Sequence, residues 1–251
     1  MKWSLEHGMM VRRGEARGPR VVWIHGLGES SVSFEPVIAK LPAFQHVLID
    51  LPGYGRSPWP ADTKSLPELA EQIARWLDEE PPAAIIGHSM GGVLCTFIAE
   101  RTAVRSVVNI DGNLTRGDCT FSALASAYSL DDFVARGFAE MRAQVYADGA
   151  KRAELRTYHA AMCFASPHMF HRHALELVEL STAGTLASRL GALQVPKLFV
   201  AGVPDGVCPE SRALLDRRGV KWLGIEPAGH WVYLDQLDRF VAAVGAFITE
   251  S

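Results

Sequence analysis

Six short apolar runs alternate with longer stretches of helical periodicity along this 251-residue chain, and that alternation limits the fold more than any other feature. The runs are Arg20 to Ile24, His46 to Asp50, Ala83 to Gly87, Ser106 to Ile110, Lys197 to Ala201 and Val220 to Ile225. Their Val, Ile and Leu content suits strands buried on both faces, and strands separated by helices make a parallel sheet with crossover connections. Trp3 to Arg12 reads as one or two antiparallel edge strands turning near Glu6-His7-Gly8, with Gly14 ending the second. Ser65 to Glu79 reads as a helix: Ser65 and Glu68 have capping-box spacing, Pro67 sits early, and Leu69, Ile73, Trp76 and Leu77 share one face. A last helix is expected over Leu234 to Ile248.

One region breaks the alternation. From Leu114 to Leu193 no strand-like run occurs, only helical material over Leu130 to Tyr146, Lys151 to Phe164 and His173 to Leu180. A crossover of that length is not an ordinary loop. The expected organisation is an α/β core of residues 1–113 and 194–251 with a helical cap, 114–193, inserted between two strands.

The chemistry concentrates at strand ends. Ala83-Ala84-Ile85-Ile86 runs into Gly87-His88-Ser89-Met90-Gly91-Gly92, and a helix follows. A strand, a sharp Gly-x-Ser-x-Gly turn and a helix form the context that exposes a nucleophilic serine, here Ser89. A phosphate loop is the competing reading, but no Gly-Lys-Ser/Thr follows. A serine hydroxyl also needs a base, an acid to orient that base, and donors for the oxyanion. The amide of Met90, just after the nucleophile, is one expected donor; Leu27, in the loop His25-Gly26-Leu27-Gly28, is the other. His230, in Pro227-Ala228-Gly229-His230-Trp231, follows the last strand candidate and is the expected base. Asp205 precedes it in the chain order Ser, Asp, His and is the expected acid, with Asp111, one strand earlier, as the alternative. His25, Gly26, Trp231 and Asp111 are expected around the substrate, His25 by holding its loop in shape.

Together, His25-Gly26, Asp50 to Ser57, Gly87 to Gly92, Asp205 and Gly229-His230-Trp231 resemble the α/β-hydrolase superfamily, particularly its small capped serine esterase-like members. The resemblance spans nearly the whole chain in family order. It implies an α/β-hydrolase fold, a mostly parallel sheet flanked by helices, with Ser89, Asp205 and His230 as a triad. It also implies oxyanion donors at Leu27 and Met90, and a turn from Gly53 to Ser57 shaping the site from below. A serine nucleophile excludes the relatives that attack with aspartate or cysteine. The expected activity is hydrolysis of a small, largely apolar carboxylester, thioester or lactone through an acyl-enzyme on Ser89. Carbon–carbon bond hydrolysis, a lyase reaction, or a ligand receptor without turnover are the alternatives.

Composition excludes other classes. A net charge of −3 gives no electrostatic case for nucleic acid. Neither a signal-like segment nor 18 consecutive apolar residues occurs, so a cytoplasmic protein without membrane association is expected. The four cysteines, Cys95, Cys119, Cys163 and Cys208, are scattered and suggest reduced structural thiols. His159, His168, His171 and His173 fit no usual zinc spacing. No metal and no cofactor is expected. The expected partner is a small-molecule substrate, and the expected state a monomer or homodimer.

Overall fold

In the computed structural model, which describes residues 1–251, strands β3 (Arg20–Ile24), β5 (Ala84–His88) and β6 (Ser106–Ile110) are buried at every position. They form the middle of an eight-stranded sheet with β1 (Lys2–Glu6), β2 (Met9–Arg13), β4 (Gln45–Asp50), β7 (Lys197–Asp205) and β8 (Trp222–Gly229), in the order β1-β2-β4-β3-β5-β6-β7-β8. Only the β1–β2 and β2–β4 pairings are antiparallel; all others are parallel. The register aligns Ile24 with Gly87 and His88 with Ile110, so the central strands end together at one edge. Parallel strands buried on both faces need helices over both, which explains their unbroken apolar runs.

Three helices carry the connections nearest the site: α1 (Glu35–Ile38), α2 (Leu66–Asp78) and α3 (Met90–Ala99). α2 starts as its spacing requires, with the Ser65 hydroxyl accepting from the Glu68 amide and the Glu68 carboxylate accepting from the Ser65 amide. Its Leu66, Leu69, Ile73, Trp76 and Leu77 are buried, each worth about 1.5–3 kcal/mol of apolar burial. α3 is apolar nearly all round and buried from Met90 to Ile98, because it packs behind the sheet centre.

Between β6 and β7 there are only helices: α4 (Phe121–Ser126), α5 (Leu130–Asp132), a π-turn over Phe133–Gly137, α6 (Phe138–Asp148), α7 (Ala153–Met162), α8 (Pro167–Thr182) and α9 (Leu186–Ala192). This segment is anchored to the core at the Gly53–Ser57 turn. The Ser166 amide donates to the Gly53 carbonyl at 2.7 Å. The Tyr54 hydroxyl donates to His173 Nδ1 at 2.8 Å, and His173 Nε2 donates to the Lys64 carbonyl at 3.0 Å. Within the segment, His171 Nε2 meets the Tyr128 carbonyl at 2.9 Å. α10 (Pro209–Arg217), α11 (Val232–Asp235) and α12 (Leu237–Glu250) complete the chain. No helix is long and apolar enough to cross a membrane.

Several elements differ from expectation. β8 runs to Gly229 rather than Ile225, because Ala228 and Gly229 pair with Pro204 and Asp205 of an equally extended β7. Pairing across the sheet there overrides the weak strand propensity of Pro and Gly. The helix expected over Leu130–Tyr146 is widened by the π-turn, where the Phe133 ring packs against Phe138 and Phe170. The last helix is broken at Gln236, whose backbone leaves the helical region while its side chain donates to the Pro227 carbonyl at 2.8 Å.

Candidate active site

Ser89 is the one residue between β5 and α3, and it holds φ 54° and ψ −119°. A non-glycine residue in such a conformation costs of order 1–3 kcal/mol. The flanking glycines permit it by close approach. A Cβ at Gly87 would lie 2.1 Å from the Gly91 carbonyl oxygen, and one at Gly91 would lie 2.1 Å from that of Ile24. The Ser89 amide is fixed by the Ile110 carbonyl at 2.8 Å.

Ser89 and His230 line one cavity of about 20 Å³, together with Leu27, Phe121, Tyr158 and Trp231. His230 follows directly on β8 and is partly buried. Burial, reinforced by the charge of His88, pushes its imidazole down to about 3, so the ring is neutral at physiological pH. Neither the Ser89 hydroxyl nor the His230 ring is hydrogen-bonded to another protein group. Met90 stands at the first position of α3, where a helix offers its amide no acceptor. Leu27 lies in the loop after β3, and its amide donates to no group of the protein.

The acid candidates are placed differently. Asp205 ends β7 and pairs in register with Gly229, one residue before His230. Its side chain is exposed, makes no hydrogen bond, and does not line the Ser89 cavity. Asp111 is buried with φ 44° and accepts the amides of Gly202 and Val207, each at 3.0 Å. Burial pushes its carboxyl up to about 8 against those two bonds. Asp111 therefore braces the end of β6 against the end of β7 and does not reach the substrate space, where it was expected.

His25 is turned into its own loop. It is fully buried, with Nε2 accepting from the Leu51 amide at 3.0 Å and Nδ1 donating to the Gly26 carbonyl at 2.8 Å. Both nitrogens are committed to shaping the loop, and burial lowers the ring's pKa. Gly26 does approach Ser89: a Cβ there would lie 3.1 Å from Ser89 Cβ. Trp231 lines the cavity.

Two residues that sequence reasoning gave no role sit behind this site. Glu29 is buried and accepts from the Gly26 amide at 2.8 Å, the Trp231 indole at 2.5 Å and His88 Nδ1 at 3.0 Å. His88 Nε2 faces the His230 carbonyl oxygen at 2.8 Å. Both His88 nitrogens thus face acceptors, which only the doubly protonated ring satisfies. Burial opposes that charge, but the Glu29 carboxylate raises the His88 pKa all the same. Burial likewise pushes the Glu29 carboxyl up, and the charge and hydrogen bond of His88 hold it down at about 2. A buried ion pair therefore ties three loops together: the one bearing Leu27, the nucleophile turn, and the one bearing His230. The one signal in the sequence was an acidic residue three positions beyond Gly26 in the loop after β3.

Similarity to known proteins agrees with this architecture. The family model for the alpha/beta hydrolase fold matches residues 19–237. The chain is 25% identical over 260 residues to 2-succinyl-6-hydroxy-2,4-cyclohexadiene-1-carboxylate synthase of Serratia proteamaculans, covering 95% of this chain and 96% of that protein. It is 27% identical over 256 residues to pimeloyl-[acyl-carrier protein] methyl ester esterase of Aeromonas hydrophila, covering 92% and 96%. The solved enol-lactonase of Burkholderia xenovorans superposes with a TM-score of 0.80 at 18% identity, covering 99% of this chain and all of that one, 100%. The elbow at Ser89, the mostly parallel sheet and the match over residues 19–237 place this chain in the alpha/beta hydrolase fold family.

Proposed function

We propose that the protein is a serine hydrolase that cleaves a small, largely apolar ester-type substrate, a carboxylester, thioester or lactone, through an acyl-enzyme on Ser89. The observation that carries this reading is the strained Ser89 turn opening into the same cavity as a neutral His230. A base must be neutral to take a proton, and His230 is held so. Ser89 attacks the carbonyl carbon as His230 accepts its proton; the amides of Leu27 and Met90 bind the oxyanion; protonated His230 returns the proton to the leaving alcohol or thiol. Water then repeats the sequence and frees the acid. Asp205, beside His230 on the neighbouring strand end, is the acid that orients the ring once substrate draws the site together, since catalytic hydrogen bonds often tighten only in the complex. The helices of residues 114–193 act as the cap over Ser89.

The likeness to a methyl ester esterase over nearly the full length supports hydrolysis. The comparable likeness to a synthase of a cyclohexadiene carboxylate supports a second reading, a lyase reaction on the same residues. A panel of p-nitrophenyl esters with Ser89→Ala as control separates the two. Turnover lost on mutation supports hydrolysis; no turnover of any ester by the wild-type protein contradicts it.

A further inference from the structure

The space at Ser89, about 20 Å³, admits little more than a water molecule. A second chamber of about 190 Å³ lies beside it, between α7 and the loop after β3. The two spaces share three residues, Glu29, Tyr158 and Trp231, so the wall between them is one side chain thick. Beyond that wall the chamber's apolar lining is Val32, Ala160, Ala161, Phe164 and Leu234. Its acidic members are committed elsewhere. Asp50 accepts the amides of Ser31 and Arg56, and Glu29 is paired with His88. Its one cation, Arg56, is exposed and lies over the Trp3 ring, 4.7 Å from the centroid.

The wall has one fixed and one free member. The Trp231 indole is pinned by Glu29 at 2.5 Å. The Tyr158 ring packs against Trp231 and Phe121, with centroids 5.2 and 4.9 Å away, but its hydroxyl has no hydrogen-bond partner in the protein. A rotation of Tyr158 therefore breaks no hydrogen bond. On the opposite side, Phe121 separates Ser89 from an open groove lined by charged residues, among them Arg136, Glu140 and Arg152. Arg152 lies 3.8 Å from where a Cβ of Gly229 would stand, and its charge is felt by His230. The groove thus adjoins the residue that protonates the leaving group. The chamber adjoins the oxyanion loop at Glu29 and meets Trp231, but His230 itself does not line it.

Building on the serine-hydrolase reading above, we infer that the chamber behind Tyr158 holds the acyl chain of the substrate, an apolar group of roughly six to eight carbons or one aromatic ring. The size follows from comparison with a dry cavity of about 150 Å³, which takes one benzene. Each methylene buried there is worth about fourfold in binding. Tyr158 is the residue that divides the chamber from the nucleophile.

The test fills the chamber. Ala161→Trp places an indole in it from a partly exposed helix face, and Ala160→Trp does the same nearer the mouth if the first variant does not fold. For the folded variant, the ratio of kcat/KM for p-nitrophenyl hexanoate to that for the acetate should fall at least tenfold. The ratio for hexyl acetate to ethyl acetate, which varies the alcohol, should move less than twofold. An unchanged acyl ratio, or a collapse of the alcohol ratio instead, overturns the assignment. Binding of p-nitrophenyl hexanoate to Ser89→Ala, read by tryptophan fluorescence, should weaken at least tenfold when Ala161→Trp is added. This binding arm needs no turnover, so it decides the chamber even if the hydrolase reading fails.

Discussion

His88 Nε2 donates to the carbonyl oxygen of His230 at 2.8 Å, with the two imidazole rings 4.6 Å apart at their centroids. A cation thus stands behind the proposed base and is paired on its far side with Glu29. Burial and this charge both lower the His230 pKa, to about 3. Activity should then stay level as pH falls from 7 through the ordinary histidine range to about 5. In His88→Gln the cation is gone, the His230 pKa rises, and the acid limb of kcat/KM should move to higher pH. Parallel pH–rate profiles of the two proteins check this; coincident acid limbs would contradict it.

Glu29→Gln removes one partner of a buried ion pair and leaves His88 without a counter-charge. Such a change costs about 3–5 kcal/mol, which urea unfolding at pH 7 should show. The sign of the pH effect is fixed by the lowered Glu29 pKa. Its stabilisation is present above the unfolded value of 4.5 and is lost as pH falls from there towards about 2. That acid-side loss should be smaller in the variant.

Asp205 and Asp111 should separate by the kind of damage their loss does. Asp205→Asn removes the proposed orienting acid from an exposed position, so kcat should fall roughly 10³–10⁴-fold with stability nearly unchanged. Asp111→Asn turns an amide NH₂ towards one of two buried backbone donors, at Gly202 or Val207, and should cost about 1–3 kcal/mol. Kinetics and unfolding curves on both variants decide it. A larger loss of rate at Asp111 would exchange the roles.

Tyr54→Phe tests the anchoring of the helical segment. It leaves His173 Nδ1 buried without its donor, at a cost of about 1–3 kcal/mol. Hydrogen exchange should quicken in α8 before it does in the central strands if this contact holds the segment in place.

The sheet was legible because its signals are local. The runs at Arg20–Ile24 and Ser106–Ile110 were read with their observed limits, and the Ser65–Glu68 capping box formed as its spacing demands. What could not be read depended on distant partners. β8 continues through Pro227 to Gly229 only because β7 lies beside it, and no local preference announces that. Glu29 and Trp231 are 202 positions apart, so neither periodicity nor motif spacing could link them. Asp111 was expected around the substrate, yet burial turns it towards the backbone amides of Gly202 and Val207. The position of Ser89 was clear because its turn needs Gly87 and Gly91 within five residues of chain.

The central claim is that Ser89 carries the acyl group. The most direct measurement is an acid quench of the protein during turnover of p-nitrophenyl butyrate, followed by intact-mass and peptide mass spectrometry. One butyryl group should appear on the peptide containing Ser89 and be absent from Ser89→Ala. Turnover without that adduct, or an adduct on another residue that survives Ser89→Ala, would contradict it.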